Sequence, residues 1–167
     1  QAMIRMAIPA FDIHSADKFA GALAGQILCG DLDSRLIRYV RAQKGLAYSV
    51  WADFSPGRHA GTFSAGTETK LPSAGAAIES MLKVFHDMTT TDVTPEELAS
   101  AKTSIVGSLV MRMQTIDQQA NMRGQSLHNH YPADYYDQYP KHIDAVTADQ
   151  IRSVMQNYVD PSKLTLV

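Results

Sequence analysis

The stretch Asp33–Val50, DSRLIRYVRAQKGLAYSV, changes its hydrophobic period partway, and that change constrains the fold more than any other feature of the chain. Leu36, Ile37 and Val40 recur at helical spacing up to Lys44, whereas Leu46, Tyr48 and Val50 alternate with Ala47, Ser49 and Trp51 as strand residues do. Gly45 stands between the two regimes. Glycine enters the left-handed backbone region at little cost and so closes a helix, and the lysine before it suits the negative end of the helix dipole. The pattern predicts a helix capped at Asp33 or Ser34, a left-handed turn at Gly45, and a strand. Such a turn brings Arg41, a fixed cation, and Tyr48, a neutral phenol donor, toward one rim of a sheet.

The flanking sequence supplies the other layer. Met3–Phe11 reads as a buried strand, and Asp17–Leu28 carries Phe19, Ala20, Leu23, Ala24, Ile27 and Leu28 as the stripe of a core-facing helix. The Pro56-Gly57 turn joins the Leu46–Phe54 strand to a returning strand at Gly61–Thr69, and Pro72 opens a helix with its stripe at Ile78, Met81, Leu82, Phe85 and Met88. Thr94-Pro95-Glu96-Glu97 is a capping box with proline at the first helical position, and the stripe behind it runs through Leu98, Ala101, Ile105, Leu109, Met113 and Ile116 toward Arg123. Ser126–Pro140 reads as short helical turns. Thr147-Ala148-Asp149-Gln150 is a second capping box, and Leu164–Val167 a terminal strand. Grouped strands and one-sided helices predict an α+β two-layer sandwich, a mostly antiparallel sheet with the hairpin at its centre and both long helices on one face.

With 167 residues and 45% hydrophobic content, the chain is read as a single domain, 1–167. Fifteen basic against 17 acidic side chains, with no Lys/Arg cluster, give no footprint of a nucleic-acid partner. No apolar run approaches the roughly 18 residues of a membrane span, and no signal peptide is visible. The chain starts at Gln1, without an initiator methionine and within a strand pattern, as a piece of a longer protein would. One cysteine, Cys29, excludes an internal disulfide and a thiolate zinc cluster.

Six histidines raise the question of a metal, and their spacing answers it. Neither His-Glu-x-x-His nor His-x-x-Glu-His occurs, and His128-Asn129-His130, the one close pair, lies among turn residues. No nucleophile elbow or phosphate loop is present. Cys29 at a helix C-terminus reads as an inert buried thiol, and Glu96 and Glu97 are accounted for by capping. Arg41 and Tyr48 remain, with Arg35 and Arg38 on the same helix. On residue chemistry alone the arginines also read as a solvated face, and Tyr48 as a core aromatic with its hydroxyl at the edge.

Ser34-Arg35-Leu36, followed by Val40-Arg41-x-x-Lys44-Gly45-Leu46-Ala47-Tyr48-Ser49-Val50, resembles the signature of the second, non-catalytic domain of the pitrilysin/insulinase zinc metallopeptidases. The likeness extends through Gly61–Thr69 and Thr94–Lys102 to the terminal strand. It implies a LuxS/metallohydrolase-like fold and the substrate-binding half of a zinc endopeptidase, predicted inactive alone. The other half supplies His-x-x-Glu-His and the zinc, so the resemblance implies no cofactor in this chain and a catalytic zinc-binding domain and a peptide as its partners. Arg41 and Tyr48 match that family's arginine and tyrosine seven residues apart, which are expected to grip peptide and stabilise the oxyanion when the two halves close. Two departures are visible: the glycine-rich run before Ser-Arg-Leu is reduced to Gly30, and Ala42-Gln43 follow the arginine where an acidic residue is frequent. The resemblance favours a bacterial periplasm or cytoplasm. A structural or assembly subunit with the same fold and an unrelated α+β binding module are the alternatives.

Overall fold

Alternation fixes the sheet. In a computed structural model, which describes all 167 residues, β1 (Ala2–Ala10) turns Ile4, Met6 and Ile8 into the core and pairs along its whole length with β3 (Gly61–Thr69), from Ala2↔Thr69 to Ala10↔Gly61. The other side of β3 pairs with β2 (Ala47–Ser55), and β4 (Thr165–Leu166) pairs with β1 at Met6 and Ala7. The order is β2-β3-β1-β4, with every neighbour antiparallel. The expected hairpin forms, but not at the centre. Full-length pairing of β1 with β3 takes that place and leaves β2 at an edge.

The helices form the second layer. Helix α1 (Asp17–Cys29) packs on β2, and α2 (Ala74–Thr90) packs on β1, β3 and α6 (Ala148–Tyr158). Of the two long helices, α2 meets the sheet directly, whereas α3 (Pro95–Met111) joins the layer through α1 and α5 (Tyr135–Ala145). An aromatic chain runs through the core between the layers: Phe11 to Phe54 at 5.3 Å between ring centroids, Phe54 to Phe63 at 4.8 Å, and Phe63 to Phe85 at 5.3 Å.

The boxes at Thr94 and Thr147 both form, with each threonine side chain accepting from the backbone N–H three residues on. A third one breaks the long helix that the stripe predicted. Thr115 accepts from the Gln118 N–H while the Gln118 side chain accepts from the Thr115 N–H, so α3 stops at Met111 and a new helix, α4 (Ile116–His128), begins. Ile116 is consequently exposed and does not continue the α3 stripe. The segment read as short turns holds instead the end of α4 and the first half of the 11-residue α5, which continues through Pro140 to Ala145. No helix is long and apolar enough to cross a membrane.

Candidate functional site

The helix before Gly45 is wound more widely than its sequence suggests. Residues Ile37–Gln43 form a π-helix, and the Lys44 N–H reaches back five residues to the Tyr39 carbonyl at 3.1 Å. Buried Leu36 and Val40 anchor it to the core. No side chain caps its start; the Ser34 hydroxyl donates to the Asp31 carbonyl at 2.6 Å instead of accepting from the first turn. Gly45 does adopt the left-handed conformation, with φ +60°. Its N–H donates to the Arg41 carbonyl at 3.2 Å, and the next N–H, of Leu46, donates to the Val40 carbonyl at 3.0 Å. Helix and strand are thereby joined tightly, with Arg41 before the turn and Tyr48 after it.

The strand then departs from plain alternation. Ala47 pairs with Thr69, but the next β2 residue to pair with β3 is Ser49, opposite Glu68, so Tyr48 is the extra residue of a β-bulge. Ala47 and Val50 are buried while Tyr48 is 82% exposed. This contradicts the placement of Leu46, Tyr48 and Val50 on one face, and it removes the core-aromatic alternative for Tyr48. Beside the ring lies a depression of about 380 Å³ lined by Leu46, Ala47, Tyr48, Glu68, Thr69 and Lys70 among others; Arg41 is not part of its wall.

Of the arginines, Arg35 is a clamp and not a solvated residue. Its Nε and Nη2 donate to the two carboxylate oxygens of Glu97 at 2.8 and 2.7 Å, with side chains only 14% and 22% exposed. Glu97 also accepts from the Thr94 N–H at 2.9 Å, so one carboxylate closes the α3 capping box and holds the π-helix against it. The Arg35 hydrogen bond holds the Glu97 carboxyl below the usual carboxylate range, against the opposing effect of burial. Glu97→Gln keeps the capping acceptor and removes the charge. It should cost about 2 kcal/mol at pH 7 and lower the melting temperature by about 4–8 °C. Because the folded-state pKa is depressed, this contribution is present above the unfolded carboxylate value of about 4.3 and disappears as pH falls through the folded one. Melting curves of the two proteins should therefore converge in acid. Arg38 and Arg41 are exposed and take part in none of the five ion pairs.

No three His, Cys, Asp or Glu side chains are grouped so as to hold a metal ion, so the residues of this chain do not fit a zinc site. The His128–His130 pair has a backbone explanation. His130 is left-handed at φ 55°, and the following Tyr131 N–H donates to the Ser126 carbonyl at 2.9 Å, which terminates α4. The partly buried Cys29 thiol donates to the Val50 carbonyl at 2.9 Å, and burial pushes its pKa up, away from nucleophilic use.

An antiparallel sheet covered by helices, with an exposed arginine and an exposed tyrosine on either side of a glycine turn, defines an α+β domain. Residues 1–105 match the family described as the peptidase M16 inactive domain, and the chain belongs to that family. A Helicobacter pylori protein named non-peptidase homolog YmxG is 27% identical over 142 residues; the match takes in 83% of this chain and 32% of that protein. In the crystal structure of a peptidase M16 inactive domain from Pseudomonas fluorescens, the same fold covers 100% of this chain and 40% of the other, at 22% identity and a TM-score of 0.88. A Helicobacter pylori protease structure matches at 13% identity and a TM-score of 0.90, over 99% of this chain and 40% of its own. The chain thus spans about a third to two fifths of the length of these relatives.

Proposed function

We propose that this chain is the substrate-gripping second domain of a two-domain zinc endopeptidase, with Arg41 and Tyr48 as its contribution to peptide binding and catalysis. The observation that carries the reading is the Gly45 turn with its bulge, which leaves a guanidinium and a phenol exposed on either side of one tight corner. Arg41 has no ion-pair partner, and bulges beside active sites serve to re-aim a side chain, as this one turns Tyr48 outward. Peptide hydrolysis builds negative charge on the carbonyl oxygen. A cation and a neutral O–H donor aimed at that oxygen, or at the carbonyl next to it, stabilise the charge most where water is excluded. Supplied from the wall opposite the catalytic half, they act only when the two halves close. The zinc-bound hydrolytic machinery itself belongs to that other half.

The test is cleavage of fluorescein-labelled casein by the full-length protein, together with the chain bearing His-x-x-Glu-His if that is separate. Arg41→Lys keeps the charge but loses the planar fork, and turnover should fall by about tenfold or more. A loss under twofold, with the fold intact, overturns the role of Arg41. The second reading, a non-enzymatic scaffold with the same fold, is favoured by the likeness to a protein named a non-peptidase homologue. Absence of casein cleavage by the zinc-supplemented full-length assembly would put that reading first.

A further inference from the structure

Where the β2–β3 ladder skips Tyr48, two backbone carbonyls close to the interruption accept hydrogen bonds beyond those of the strand pairing. Both donors are side chains of β3. The Thr69 hydroxyl donates to the Leu46 carbonyl, and the Thr67 hydroxyl donates to the Ser49 carbonyl at 2.8 Å. The two threonines stand two residues apart on one face of β3, and they are 5% and 1% exposed. Their acceptors, Leu46 and Ser49, bracket the bulge. Valine would fill the same space and suit a buried strand position equally well, without a hydroxyl to desolvate. What threonine adds at both places is a hydrogen bond to a carbonyl within two residues of Tyr48.

We propose that Thr67 and Thr69 are positioning residues: they lock the bulge from both sides and so fix the direction in which Tyr48 leaves the sheet. The proposal rests on the role of Tyr48 given above. Tying the Leu46 carbonyl, two residues before the extra residue, and the Ser49 carbonyl, one after it, pins the backbone at both ends of the Ala47–Ser49 segment and limits how its peptide planes can turn. It also opposes a one-residue slip, which would move the bulge to Ala47 or Ser49 and turn Tyr48 toward the other face. The phenol is thus held in place before substrate arrives, which is what an oxyanion donor requires.

The experiment uses the full-length protein carrying Thr67→Val, Thr69→Val and the corresponding serine variants. Hydrogen exchange is measured over residues 44–50, and turnover on fluorescein-labelled casein. In each valine variant, exchange in that segment should quicken by about tenfold, with other segments unchanged. The same variants should lose about tenfold in kcat with KM within about twofold. Serine keeps the hydroxyl and should restore both. On a Tyr48→Phe background the valine changes should cost less than about twofold further, because they act through the phenol. Unchanged exchange over 44–50 overturns the lock. A full-sized loss of turnover that persists on the Tyr48→Phe background overturns positioning of Tyr48 as its purpose. Cleavage indifferent to Tyr48→Phe itself would overturn the role of Tyr48 and not the lock, which the exchange data decide independently.

Discussion

Tyr48→Phe in the full-length protein is expected to lower peptide turnover by about 10²–10³, equivalent to roughly 3–4 kcal/mol of transition-state stabilisation, while leaving the fold untouched. The substitution keeps the ring and removes one hydroxyl. Since the ring is 82% exposed and its hydroxyl serves no other residue, nothing in the folded domain depends on it. Its melting temperature should stay within about 2 °C of the wild type, the ordinary range for a surface change in a chain of this size. Turnover measured on labelled casein and a thermal melt of the same sample separate the two effects. A loss of turnover below twofold, or a melting point that falls with the activity, would overturn the catalytic role of the tyrosine.

The largest effect on stability is expected from Phe63→Ala. Phe63 is 0% exposed and sits in mid-sheet on β3, within 4.8 Å of the Phe54 ring and 5.3 Å of the Phe85 ring, so it joins β2 to α2 through the core. Truncation removes the transfer free energy of the ring and leaves a cavity that a two-layer core with strands on one side can only partly collapse into. The cost should be about 3–5 kcal/mol, a fall of about 6–20 °C in melting temperature. Chemical denaturation should show a lower midpoint at an unchanged slope. A loss under about 1 kcal/mol would mean that the site repacks and that the aromatic chain is not continuous in solution.

Much of this architecture is legible in the sequence because its signals are local. Thr94 and Thr147 announce their helices through a residue three positions on, and Gly45 announces its turn by itself. Thr115-x-x-Gln118 carries the same signal, yet the apolar stripe through Met113 and Ile116 masks it, since a hydrophobic period says nothing about a four-residue interruption. The π-helix stays hidden because seven residues are too few to separate its period from that of an α-helix. Features that depend on a partner far along the chain are invisible. Arg35 meets Glu97 across 62 residues, and Thr67 and Thr69 read as ordinary alternating strand residues until β2 lies beside them. The bulge belongs with these. From sequence, Tyr48 is one more apolar position in an alternating strand, and only the skipped pairing shows why it faces out. Arg41 and Tyr48 stand out in the sequence by type, spacing and family likeness, and the turn between them lies where Gly45 predicts it.

The position of the bulge on an outermost strand has a consequence for how copies of this protein treat one another. A regular, flat edge displays an unbroken row of amide and carbonyl groups, which a second molecule can use as a template for continuous strand pairing and, eventually, aggregation. β2 carries Tyr48 and the partly exposed Trp51, both attractive to such a neighbour. The extra residue at Tyr48 breaks the even spacing of that row and increases the local twist, so an incoming strand loses register near the start of β2. The irregularity that turns a phenol outward thus also helps to keep the exposed border of the sheet from recruiting further chains.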